Sequence, residues 1–276
     1  MNDERQRLRR VYILPNLFTA LNLFLGVLAI YAVHQGEMRR GCWLIVLAAV
    51  LDGLDGAVAR LTHTQSRFGL EFDSLSDLAS FGVAPSLAAF VFLSPSDHGY
   101  TRVLTAVCAL FAVCGALRLA RYNVQASGSE RKGFLGMPIP GAAMGIVSTV
   151  LLFDRYSLET VRLTWLPIIG NDLTLQNILQ AFFPFLILAL ALLMVSEVPY
   201  PSVIKKIHIQ RHMSFASLVA LMLVIIPILA LGSNDRIAIL FILTYGYIFF
   251  GLGHFAWRHF SHQSPRSKSP PAQQSE

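Results

Sequence analysis

The sequence predicts an all-α fold: a polytopic integral membrane bundle of about eight transmembrane helices, with both ends of the chain on the cytoplasmic side. Three observations carry this. Of the 276 residues, 54% are hydrophobic and only 14% charged, where a soluble domain carries about a quarter charged, and the mean hydropathy is +0.56. The apolar residues gather in long, repeated runs that no water-soluble core of this length would hold. The basic residues divide unevenly between the segments that join those runs.

Windows of about 20 residues, enough to cross about 30 Å of hydrocarbon, lie near 11–33, 41–60, 77–94, 102–121, 138–154, 177–196, 214–232 and 236–257. The first follows a basic start as a signal peptide would, but its apolar run is long and lacks a small-residue cleavage site, so it reads as a span. The third and fifth are the shortest, and Pro138 and Pro140 blur the start of the fifth. An even number of spans puts both termini on one side. That side holds 16 of the 22 Lys and Arg residues, among them Arg5, Arg7, Arg9, Arg10, Arg118 and Arg121, and the other side holds 6. Since Lys and Arg favour the cytoplasmic side of short loops, both termini are expected there.

The tail, 261–276, is rich in Ser, Pro and Gln and has no apolar pattern, so disorder is expected. Segment 198–211 mixes apolar and basic positions and suits either the lipid surface or a solvated loop. The net charge of +6 does not point to nucleic acid, because the basic residues alternate with spans rather than lining one face. Cys42, Cys108 and Cys114 lack zinc-ligand spacing and read as small core residues. His208 and His212 lie at i, i+4 in a basic loop, without the glutamate that a zinc hydrolase helix places between them.

Four carboxylates break the apolar pattern. Asp52 and Asp55 end the second span in LDGLDGAVAR, and Asp73 and Asp77 open the third in FGLEFDSLSDLASFG. Each costs about 2.5–3.5 kcal/mol on insertion scales, and such residues usually face a polar cavity that serves function. Asp52, Asp55, Gly56, Ala59 and Arg60 fall at i, i+3, i+4, i+7 and i+8, one helix face; Gly69, Asp73 and Asp77 fall at i, i+4 and i+8. A short polar turn joins the two segments, so the acidic faces can converge at the cytoplasmic end. Two unit charges about 4 Å apart repel by about 4 kcal/mol at an effective dielectric of 20. A cluster of four should therefore bind protons or hard cations such as Mg²⁺, Mn²⁺ or Ca²⁺. Taken singly, each acid would also suit a helix cap, and Gly56 and Ala59 would suit plain helix packing.

At these residues the chain resembles the CDP-alcohol phosphatidyltransferase family, whose signature D-x-x-D-G-x-x-A-R, eight residues, G-x-x-x-D-x-x-x-D is met without departure over 52–77. At ordinary residue frequencies such a match arises by chance roughly once in 10¹⁰ starting points. The resemblance implies a membrane catalytic domain over 11–260 behind a basic N-terminus at 1–10. It implies two divalent ions, Mg²⁺ or Mn²⁺, held by Asp52, Asp55, Asp73 and Asp77, with Asp77 also the general base. It further implies that Gly56, Ala59, Arg60 and Gly69 receive the CDP-lipid. A homodimer in the bacterial inner membrane, with its site facing the cytoplasm, is the form the family suggests.

The acceptor is read from other stretches. PNLFTALNLFLG (15–26), DSLSDLASFGVAP (73–85), ALRLARYNV (116–124) and GMPIPGAA (136–143) resemble the membrane-spanning bacterial branch of the family, which uses L-serine and CDP-diacylglycerol. Asn16, Thr19 and Asn22 recur at helical spacing on the first span. They suit the nucleotide (Asn16, Thr19) or the acceptor (Asn22), or simply bond a neighbouring helix. Arg118, Arg121 and Asn123 end the fourth span, where they suit the serine carboxylate or only the positive-inside bias. Glycerol 3-phosphate, inositol and choline are the alternative acceptors. An ion-coupled transporter is the rival of a different class, but no internal repeat is evident and the acids crowd one hairpin.

Overall fold

The computed structural model describes residues 2–62, 66–93, 98–127, 136–156, 175–198 and 233–261. All regular structure among them is helical: α1 (Asn2–His34), α2 (Met38–Thr62), α3 (Arg67–Asp77), α4 (Ala84–Leu93), α5 (His98–Ser127), α6 (Ile139–Tyr156), α7 (Leu175–Val195) and α8 (Ser233–Ser261). A π-helical segment, Leu78–Val83, joins α3 to α4 without a break. Four stretches are long and apolar enough to cross a membrane: Asn16–His34, Arg67–Leu93, Thr101–Gln125 and Arg236–Gly253. The expected seventh span, 214–232, and the tail from 262 lie outside the described residues, as do most of segment 198–211 and the side chains of Ala59 and Arg60.

The α1–α2 hairpin follows from local chemistry. Gly36 takes the left-handed conformation at φ 81°, its N–H bonds Val33 O at 3.0 Å, and Glu37 N–H bonds Ala32 O at 2.9 Å. This pair of bonds satisfies the last carbonyls of α1 and turns the chain. The helices then meet closely: a Cβ on Gly41 would lie 2.5 Å from Val33 Cγ2 and 3.1 Å from Ala29 O. Small residues are what let helix backbones approach when lipid removes the hydrophobic drive.

Helix α3 begins earlier than the expected start of the third span at 77. Ser66 is extended, and its Oγ accepts from Gly69 N at 2.9 Å, which caps the helix. The apolar run starts near Leu78, but backbone hydrogen bonding starts at the cap, so the acidic stretch is the first three turns of a 27-residue helix, Arg67–Leu93. The π segment ends just before Ala84-Pro85, with Ala84 N–H reaching back to Ala79 O. A proline lacks the N–H and crowds the carbonyl four residues earlier, and a wide turn relieves that crowding.

In the half of helix α1 beside the carboxylates, polar residues face inward and apolar ones outward. Thr19 and Asn22 are buried, while Leu17, Leu21, Phe24 and Tyr31 are exposed, as expected where lipid is the solvent. The shared core gathers Phe81, Phe111, Ile139, Ile146, Ile187 and Leu190 between α4, α5, α6 and α7. At the entry to α6, Gly136 (φ 86°) packs on the end of α7, where a Cβ would come 2.3 Å from Met194 O. Gly136 N bonds Val198 O and Met137 N bonds Leu193 O, both at 3.0 Å. The GMPIPG stretch thus serves carbonyls that α7 leaves open.

Candidate metal and catalytic site

Helices α1, α2, α3 and α5 bring the predicted residues to one end of the bundle. Asp52 and Asp55 come from α2 and Asp73 from α3, and one carboxylate oxygen of each lies within 4.8 Å of the others. Asp77, one turn after Asp73, lies within hydrogen-bonding reach of Asp52. Asp55 and Asp77 are 6% and 8% exposed, so the charges sit where water screens them little.

Helix α1 supplies the polar supports. Thr19 Oγ1 donates to Asp55 Oδ2 at 2.8 Å, and Asn22 Nδ2 donates to Asp77 Oδ1 at 3.3 Å. Two serines of the third span clamp the same stretch: Ser76 Oγ donates to Thr19 O at 3.1 Å, and Ser80 Oγ to Asn22 O at 3.0 Å. A Cβ on Gly26 would fall 2.3 Å from Ser80 Oγ, so this approach needs glycine. Asn16 reaches Gly69, where an added Cβ would lie 3.2 Å from Asn16 Oδ1. Asn16, Thr19 and Asn22 therefore share the acidic face, as their spacing suggests.

The residues of α5 divide. The Arg118 guanidinium interacts electrostatically with Asp77 and Asp52, and also with Tyr122 and with Tyr247 of α8. Arg121 instead turns to the end of α7, 3.4 Å from Val195 O and 3.6 Å from Glu197. Asn123 bonds Glu71 at 3.1 Å and Ser74 at 3.0 Å, both on α3. Only Arg118 of the three faces the acids; the other two hold α5 against α7 and α3. Ser76, Ser80 and Tyr247 belong to this end and were not singled out by sequence. The i, i+4 spacing of the two serines in an apolar run was the available signal.

The donor set suits a hard divalent cation. The converging atoms are carboxylate oxygens, and Asp73 Oδ1 is buried and accepts no hydrogen bond among the described residues, which leaves a charged acceptor for an ion. Gly56 lies one residue after Asp55 on α2, close to the cluster.

A sequence model of the CDP-alcohol phosphatidyltransferase family matches residues 12–182, which contain all of these carboxylates. The CDP-diacylglycerol--serine O-phosphatidyltransferase of Helicobacter pylori is 40% identical over 223 residues, covering 80% of this chain and 86% of its own. The protein of that name from Methanocaldococcus jannaschii is 33% identical over 225 residues, 81% of this chain and 90% of its own. The archaetidylserine synthase of Methanothermobacter thermautotrophicus is 35% identical over 205 residues, 74% and 75% of the two chains. With its carboxylates gathered at one site and its similarity running through most of its length, the chain belongs to the CDP-alcohol phosphatidyltransferase family.

Proposed function

We propose that this protein transfers the phosphatidyl group of CDP-diacylglycerol to the hydroxyl of L-serine, giving phosphatidylserine and CMP. The observation that carries the chemistry is the convergence of Asp52, Asp55 and Asp73 within 4.8 Å, with Asp77 alongside, in a chain of this family. Serine as acceptor is supported by relatives that carry it in their names.

Asp52, Asp55 and Asp73 would hold two divalent ions, Mg²⁺ or Mn²⁺, with Asp77 beside them. When bound, such ions neutralise the diphosphate of the CDP-lipid and the charge that leaves with CMP. The chain's own residues do the rest. Asp77 accepts the proton of the serine hydroxyl as its oxygen bonds to the phosphatidyl phosphorus and the bond from phosphorus to the CMP oxygen breaks. Thr19 and Asn22 hold Asp55 and Asp77 in position. Gly56, Ala59, Arg60, Gly69, Asn16 and Thr19 form the CDP-lipid side, and Arg118 is the cation placed for the serine carboxylate. Arg121 and Asn123 support that end through α7 and α3.

The setting is an eight-span protein of the bacterial cytoplasmic membrane, with both termini and the site on the cytoplasmic side. Helix α6 starts at the carboxylate end, and its contacts with α8 run antiparallel, Thr149 to Tyr245 and Gly145 to Ile248. Helix α7 ends at the carboxylate end while α8 begins at the other, which supports the eight-span reading. A homodimer is proposed from the family resemblance.

The test supplies purified protein with CDP-diacylglycerol, Mn²⁺ or Mg²⁺, and serine, glycerol 3-phosphate, inositol or choline in turn. CMP and phosphatidylserine are expected with serine. No CMP above the Asp77→Asn background with any acceptor would overturn the enzyme assignment, and reaction with another alcohol alone would overturn serine.

A further inference from the structure

Asn22 does more than hold the base. The residue is 0% exposed, its Nδ2 donates to Asp77 Oδ1 at 3.3 Å, and its backbone carbonyl accepts from Ser80 Oγ. Its side-chain Oδ1 is buried and receives no hydrogen bond among the described residues. An unpaired buried acceptor costs about 1–3 kcal/mol. The amide is planar, with its oxygen and nitrogen on the same carbon, so Oδ1 is held beside the carboxylate that its own nitrogen engages.

We propose that Asn22 Oδ1 receives the ammonium group of an acceptor whose hydroxyl rests on Asp77, and that this contact selects a vicinal amino alcohol. The inference rests on the serine reading and assigns it a specificity-determining residue. In serine the hydroxyl and ammonium sit on adjacent carbons, so one molecule spans Asp77 and the amide bound to it. The surrounding charge agrees, because Asp52 and Asp77 favour a cation there, and an ammonium-to-amide bond is charge-assisted. Glycerol 3-phosphate and inositol have no ammonium to offer, and the quaternary nitrogen of choline has no N–H. A divalent ion is the other ligand that a buried amide oxygen takes.

The experiment compares serine with 3-hydroxypropionate, which is serine without its ammonium, in the full-length wild type and Asn22→Ala, following CMP release. The wild type should favour serine by about 100-fold or more in kcat/KM, because a site built to bond an N–H rejects the analogue that lacks it. In Asn22→Ala that preference should fall below about 10-fold, through a higher KM for serine that exceeds any loss of turnover both substrates share when Asp77 loses its donor. A variant that loses both substrates equally, or whose Mn²⁺ requirement shifts while the serine preference stays, overturns the inference. If 3-hydroxypropionate yields no CMP, its inhibition constant against serine is compared in the same way. Calorimetric titration of the two acceptors needs no turnover and applies the same criterion to a variant too slow to assay. Wild-type protein inert to serine but active with another alcohol fails the acceptor assignment itself, a result distinct from an unchanged preference.

Discussion

The two ends of the bundle treat their acids differently. At the end where α2 begins and α6 finishes, Asp154 Oδ2 accepts from Arg39 Nε at 2.9 Å and Nη2 at 2.7 Å, and Glu37 pairs with Arg40 at 2.7 Å. Each of these acids has its own arginine, in reach of solvent. At the other end four carboxylates gather, and among the described residues Arg118 interacts with two of them, Asp52 and Asp77, while Asp55 and Asp77 lean on neutral donors, Thr19 and Asn22. Acids matched one to one with cations staple helices. Acids in excess and withdrawn from water store repulsion that a bound cation relieves.

The largest effect should come from Asp77→Asn, which lowers CMP release by about 10²- to 10⁴-fold, the range of one general base, while helical content by circular dichroism stays put. EDTA should silence the wild type reversibly, with Mn²⁺ or Mg²⁺ restoring activity. Next, Thr19→Val should raise the half-saturating Mn²⁺ by about 10- to 100-fold, the usual cost of losing a partner that orients a ligand. Asp73→Asn should raise the melting temperature in EDTA while abolishing its rise on adding Mn²⁺, since a repelling charge and a ligand vanish together. On the α5 pair, Arg118→Gln should raise the KM for serine far more than Arg121→Gln, and equal effects would place both at the acceptor. Smallest of all, Arg39→Gln should leave CMP release unchanged and cost no more than about 1 kcal/mol of stability. A tenfold loss of activity there would break the contrast between the two ends.

Much of the site was legible in the sequence because helices repeat. Asp52 and Asp55, Asp73 and Asp77, and Asn16, Thr19 and Asn22 each announce a face by spacing, and the structure turns all three faces to one place. Arg118 and Arg121 show where spacing stops helping. They are one turn apart and chemically equal, yet one meets Asp77 and the other the end of α7. That choice depends on Glu197 and Val195, more than 70 residues away, and no local pattern encodes it. The start of the third span was misplaced for a related reason: hydropathy registers where a helix enters apolar surroundings, while Ser66 sets where its hydrogen bonds begin.

By itself, the sequence determined the solvent, the helical class and the carboxylates of the candidate site, because composition, period and charge are properties of a chain before it folds. Tertiary structure decided which donors hold those carboxylates, which of Arg118 and Arg121 faces them, and that the amide oxygen of Asn22 is left buried without a donor among the described residues. Those outcomes follow from which helices approach closely enough to bond, at Gly26 against Ser80 and Gly136 against the end of α7, and close approach is a property of the packed bundle.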